Sequence, residues 1–332
     1  MDLNVTGMNA VVVGGDIRAA GQVAALLDGG ATVTVVAAEV TATIEDLADR
    51  GLVTWTPRDA RPDELTSFDL VLQGHAADAP DDRILGTGSV TLVGGGPGDP
   101  GLVTVAGRAA IEAADVIVTD RLAPLAALGW ARPGTDVVDV AKIPGGRSTS
   151  QEEINRLLVE HAKSGRHVVR FKGGDNFVFG RGGEELIACI DAGIPTKVIP
   201  GVSSAIAAPA MAGIPVTHRG LTQGFTVVSG HVPPGHPDST IDYAALARSG
   251  TTIVVLMGVR TLGAICTALV DGGLAPETPA AVVADGAMPS QRVVRATLAT
   301  INDTASVAGL GAPAVAVIGD VADVPGLQQV DA

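Results

Sequence analysis

The sequence predicts an α/β protein with largely parallel sheets, and three observations carry that expectation. Short apolar runs of strand length alternate with stretches of helical period along most of the 332 residues. Apolar residues make up 46% and charged ones 17%, which supplies aliphatic cores and argues against disorder, although aromatic residues are only 2%. The alternation also breaks once and restarts, so the chain is expected to hold two or three domains.

The first run, AVVVGG at 10–15, leads into an amphipathic stretch ending at Gly30, and TVTVV follows at 32–36. Further candidate strands lie at 53–57 and 69–73, and βαβ units of this kind predict a parallel, Rossmann-like sheet. From His75 to Gly88 the pattern gives way to Pro80, the aspartates 78, 81 and 82, and two glycines, which reads as a linker. Strands are then expected at 89–96, 115–120, 136–140, 167–175 and 196–201, with helices over 151–164 and 182–192. A second series covers 225–232, 251–259, 280–286, 292–298 and 314–321. Its last members lack long crossovers, so that sheet is expected to be partly antiparallel.

The formal charge of −14 disfavours nucleic acid as a partner. The N-terminus carries no basic or apolar leader pattern, and no apolar run reaches the roughly 18 residues of a membrane span, so a cytoplasmic protein is expected. Cys189 and Cys266 stand far apart in sequence and make neither a disulfide framework nor a metal cluster. His218, His231 and His236 lack metal-ligand spacing, so no metal is expected. Charge is unevenly shared. Residues 1–88 hold 5 basic and 14 acidic side chains, whereas 140–220 hold 10 basic and 7 acidic. A net-positive segment in an acidic protein suits a polyanionic ligand, although Arg156, Lys163 and Arg166 read as solvated helix faces.

Gly96-Pro97-Gly98-Asp99-Pro100-Gly101 satisfies a G-x-G-x-x-G pattern after a strand. Two of its members have no N–H and one adds a carboxylate, which is the wrong chemistry for a pyrophosphate. Three further motifs follow in order: KGGDNFVFGRGGEEL at 172–186, PGVSSAIAAPAMAGIPVTHRG at 200–220, and VLMG at 255–258 with ADG at 284–286. Together they identify residues 89–325 as resembling the tetrapyrrole methylases, most closely uroporphyrinogen-III C-methyltransferases, the C-terminal module of siroheme synthases.

The resemblance implies a two-lobed tetrapyrrole methylase fold, with one lobe over 89–201 and the other over 202–332, behind a truncated Rossmann-like domain over 1–88. It implies S-adenosylmethionine folded between the lobes, a tetrapyrrole substrate bearing eight carboxylates, methylation at C2 and C7, and a homodimer. Cofactor contacts carry over to Pro97, Gly173, Gly174, Asp175, Val178, Ser203, Ser204, Met257 and Gly286. The family's base falls on Asp120 and its proton donor on Lys142. Arg121, Arg147, Arg181 and Arg219 lie in motif loops and are candidates for the substrate carboxylates, which guanidinium groups match in a bidentate manner. A corrin-pathway methylase acting at another carbon would share the cofactor motifs.

Other roles remain open for several of these residues. Asp120 is also placed to cap a following helix, and Arg181 to pair with Glu184 or Glu185. Lys142 also fits a solvated loop cation, since Ala-Lys-Ile-Pro departs from the family's Gly-Lys-Arg, and Met257 also fits the core. Asn176 stands where the family has proline, which is expected to loosen the turn. The first domain resembles the NAD-dependent module that precedes siroheme-synthase methylases. Its Asp16, however, falls where the second fingerprint glycine should be, so NAD is not expected to bind, and a redox protein using that domain is the alternative it disfavours.

Overall fold

The computed structural model describes residues 5–61, 64–73, 88–141 and 149–327. The expected linker, apart from Gly88, lies outside the described residues, as do Lys142 and Arg147. The chain divides into two compact units, Met1–Val202 and Ser203–Ala332. Among the described residues no helix is long and apolar enough to cross a membrane.

The first unit holds two sheets. One is built from β1 (Asn9–Val13), α1 (Ile17–Asp28), β2 (Thr32–Val36), α2 (Ala42–Asp49), β3 (Thr54–Thr56) and β4 (Leu70–Gln73). Its strands lie in the order β3-β2-β1-β4, all parallel, with Ala10 opposite both Val33 and Leu70. The other comprises β5 (Ser89–Gly94), α3 (Val105–Ala113), β6 (Val116–Thr119), β7 (Asp136–Asp139), α4 (Gln151–Lys163), β8 (His167–Lys172), α5 (Gly182–Asp191) and β9 (Thr196–Ile199). Here the order is β7-β6-β8-β5-β9, again all parallel. Every residue of β6 is buried, as expected of a parallel strand covered on both faces. Helices start where the local chemistry caps them. Thr104, Ser150 and Asp16 accept from the backbone N–H three residues on, at the heads of α3, α4 and α1.

The two sheets of this unit share one apolar core. Val12, Val23, Val33 and Ile44 of the first sheet's layers join Leu125, Leu128, Phe171 and Ile199 of the second. Helix α1 lies along the 3-10 turn Leu125–Trp130, so closely that a Cβ at Gly21 would sit 3.2 Å from the Leu125 carbonyl oxygen.

The second unit runs α6 (Ser204–Met211), β10 (Phe225–Ser229), α7 (Tyr243–Ala247), β11 (Thr252–Leu256), α8 (Leu262–Asp271), β12 (Pro279–Ala284), β13 (Arg292–Thr297), α9 (Ile301–Val307) and β14 (Ala314–Ile318). Strand order is β10-β11-β14-β12-β13, with only the β10–β11 pair parallel. The sheet is partly antiparallel because residues 285–291 hold no helix and turn β13 straight back beside β12, whereas α9 lies between β13 and β14.

Candidate active site

In the first unit the five parallel strands β5–β9 end at one edge, which gathers the glycine turns and Asp120 at the carboxyl side of the sheet. The turn after β5 and the turn after β8 are bonded to each other. Gly174 donates its N–H to the Gly96 carbonyl at 2.6 Å, and Gly96 returns one at 3.1 Å. Both have left-handed backbone, φ +80° at Gly96 and +67° at Gly174. A Cβ on Gly173 would overlap the Leu122 carbonyl, and one on Gly201 the Gly174 carbonyl. These glycines are therefore required first by backbone lying against backbone within the protein.

Asp175 staples the same turn. Its Oδ1 accepts from Phe177 N (2.9 Å) and Val178 N (3.2 Å), and its Oδ2 from Gly201 N (3.3 Å). Asn176 does not loosen the turn as the sequence suggested: it is fully buried and donates Nδ2 to the Ile199 carbonyl at 2.8 Å, tying the turn to the end of β9. Val178 is part of an exposed apolar stretch with Phe177 and Phe179.

Asp120, directly after β6, accepts from Leu122 N through Oδ1 at 3.2 Å and holds Arg170 Nη2 on Oδ2 at 3.1 Å. It is thus a turn residue paired to a buried arginine, since the segment that follows is the 3-10 turn with Pro124 at its head. Arg170 is 3% exposed and also donates to the Val118 and Phe171 carbonyls. Its Nε meets Glu185 Oε1 at 3.0 Å, and Lys172 Nζ lies 3.0 Å from both oxygens of that fully buried carboxylate. Burial, together with the neighbouring Arg170 charge, pushes the Lys172 ammonium below the usual lysine range. Two cations and two carboxylates thus form a neutralised network under the edge. Asp139, opposite Thr119 on β7, has its carboxyl raised by partial burial, with a smaller push from Asp120, against a bond accepted from Ala141 N.

No motif singles out Arg170 or Lys172, and Glu185 is expected only as a partner for Arg181. The signal was present, because Arg170 and Lys172 stand two apart in the otherwise apolar strand HVVRFK and so project to one face.

The candidate arginines separate. Arg121 Nη1 pairs with Asp46 of α2 at 3.0 Å, both side chains largely shielded. Arg181 forks onto Glu184 at 2.8 and 2.7 Å in the open. Arg219, in the second unit, is exposed.

In the second unit Ser203 caps α6, accepting from Ala205 N at 3.3 Å, and Ser204 is its first residue. β11 and β12 both run antiparallel to β14, so their ends share one edge. Three non-glycine residues with left-handed backbone cluster there: Met257 (φ +56°), Asp285 (+51°) and Ala287 (+66°). Met257 is 52% exposed and so is not core. A Cβ on Gly286 would overlap that of Ala208. Strain of this kind persists where function demands a particular backbone. Among the described residues no group of three or more His, Cys, Asp or Glu is placed to hold a metal.

Residues 89–302 match the model of the Tetrapyrrole (Corrin/Porphyrin) Methylases. The chain belongs to this family. An NAD(P)-binding model matches residues 1–86. The S-adenosyl-L-methionine-dependent uroporphyrinogen III methyltransferase of Methanosarcina barkeri is 47% identical over 234 residues, covering 70% of this chain and 92% of the relative. The siroheme synthase of Photorhabdus laumondii is 44% identical over 71% of this chain, but the match spans only 49% of that longer protein. Among solved structures, uroporphyrin-III C-methyltransferase from Thermus thermophilus complexed with S-adenosylhomocysteine shares 40% identity with a TM-score of 0.59, over 70% of this chain and 98% of that one.

Proposed function

We propose that the chain is a uroporphyrinogen-III C-methyltransferase that methylates C2 and C7 to give precorrin-2, in the cytoplasm and as a homodimer, on the way to sirohaem or cobalamin. The observation that carries this reading is the 47% identity to an enzyme of that name along nearly its whole length.

The residues present fit a bulky nucleoside donor. Met257, half-exposed with left-handed backbone, leaves main chain accessible at the end of β11. In this reading Pro97, Gly173, Gly174, Asp175, Val178, Ser203, Ser204, Met257 and Gly286 are the residues that would contact S-adenosylmethionine. The donor supplies a sulfonium methyl that is already activated, so the protein's work is alignment, exclusion of water and proton handling. Asp120 takes up the proton released from the methylated pyrrole at a carboxylate oxygen. Arg170 keeps that carboxylate aimed, because its buried guanidinium holds Oδ2 at 3.1 Å. Lys142 returns a proton. Arg147 and Arg219 bind substrate carboxylates, and Arg181 joins them by exchanging its solvent-exposed pair with Glu184, which is weak enough to give up. Phe177, Phe179, Ile187 and Ile190, all exposed, support burial against a second subunit.

NAD(P) does not fit the first domain. The Asp16 carboxylate caps α1 by accepting from Ala19 N at 2.8 Å, which puts a negative charge where a pyrophosphate would lie. The space over the turn is also filled, since a Cβ on Gly15 would overlap the Glu39 carbonyl.

The test is incubation with S-adenosylmethionine and uroporphyrinogen III. A product heavier by two methyl groups is expected, and no gain in mass would move the substrate assignment to another corrin-pathway methylase. Light scattering checks the dimer, and a monomer would refute it.

A further inference from the structure

The first domain has lost its pyrophosphate cradle, yet it is bonded to the loop that carries Asp120. Asp46 Oδ2 holds Arg121 Nη1 at 3.0 Å with the two side chains only 19% and 12% exposed. Arg121 is the residue after Asp120. Downstream of it, Ala123, Leu125, Ala127 and Leu128 enter the core that α1 and α2 also build, and Arg18 of α1 donates to the Thr135 carbonyl. The Asp120 loop is therefore gripped from two sides: by Arg170 beneath the carboxylate and by α2 through Arg121.

We propose that the N-terminal sheet domain is a positioning domain for methyl transfer, with Asp46 as the positioning residue that holds the Asp120–Arg121 loop through Arg121. The inference rests on the role given to Asp120 above. Its physical basis is that a catalytic group displaced by about 1 Å can lose about two orders of magnitude in rate. A loop anchored at only one of two points is free to make such a shift. The pair also neutralises Arg121 beside Asp120. The other charges that face Asp120 are Arg170 and Lys172 of β8, Glu185 of α5 behind them, and Asp139 of β7.

The test compares the full chain with Asp46→Asn, Arg121→Met and Arg50→Gln, measuring methyl transfer to uroporphyrinogen III across pH, S-adenosylhomocysteine affinity and thermal unfolding. Asp46→Asn is expected to lower kcat about 10–100-fold while cofactor affinity stays within about twofold. The unneutralised Arg121 should also shift the acidic limb of the kcat/KM profile down by roughly 0.3–1 pH unit. Arg121→Met is expected to lower kcat and to move that limb upward. Arg50→Gln removes the second pair on Asp46, at 3.3 Å from the C-cap of α2, and should change neither. Wild-type kcat in Asp46→Asn overturns the proposal, and so does a loss of kcat with an unmoved limb, since mere loss of folded enzyme would do that. If Asp46→Asn does not fold, Arg121→Met decides by the same criteria. Failure of both to fold makes the pair structural glue and also overturns the proposal. An inactive wild type would instead refute the function proposed above, so the two failures are distinguishable.

Discussion

At the residue scale the proposed base, Asp120, gives the first prediction. Asp120→Asn keeps an oxygen to accept from Leu122 N but removes the charge that faces Arg170. General-base contributions run to about 10²–10⁴-fold, so turnover should fall by that order while S-adenosylhomocysteine affinity, read by calorimetry, is nearly unchanged. Survival of activity would leave Asp120 a turn residue only. Asp139 gives a second, opposite kind of prediction. Its folded carboxyl titrates above the usual value of 3.8, so the stability it contributes is fully present below that pH and is lost as pH rises through the folded pKa. Asp139→Asn should therefore raise the melting temperature at pH 7, and the gain should shrink away below about pH 4, measured by calorimetric melts across that range.

At the element scale the contrast lies between glycines that look alike in sequence. Gly173 has no room for a Cβ, whereas one on Gly183 in α5 would meet nothing within 4 Å. Gly173→Ala should cost about 1–3 kcal/mol by forcing the turn off the Leu122 carbonyl, and should weaken cofactor binding with it. Gly183→Ala should stabilise by about 0.5–1 kcal/mol through helix propensity alone. Denaturant midpoints for the two variants give the comparison. The strands at these turns were legible because buried parallel strands are continuous aliphatic runs, as VIVT in β6 shows. The closure of Arg170 and Lys172 onto Glu185 and the Asp46–Arg121 pair were not, because they join residues 13 to 75 positions apart, although the two basic residues themselves stand on one face of a single strand. Nor does propensity point to left-handed backbone at Met257, a position it disfavours. Asn176 misled for a related reason: its partner, the Ile199 carbonyl, belongs to the next strand.

At the scale of the whole molecule, both cysteines are sealed. Cys189 and Cys266 are 0% and 6% exposed, and burial pushes each thiol up to about 11. A thiol reagent at pH 8 should label neither in the folded chain and both after denaturation, because the thiolate is the reacting form. Prompt labelling without denaturant would show that one of the two units opens readily. The shared core of the first unit bears on how this protein can be taken apart. Cutting before Ser89 would remove the partners of Leu125 and Leu128 and leave an oily face where α1 had lain. A 89–332 fragment should then collect in inclusion bodies, and fractionation of the expressed fragment would show it. The break in sequence pattern near Gly88 would then be no place to cut the gene when shuffling modules, because the smallest portable piece carries the N-terminal sheet with it.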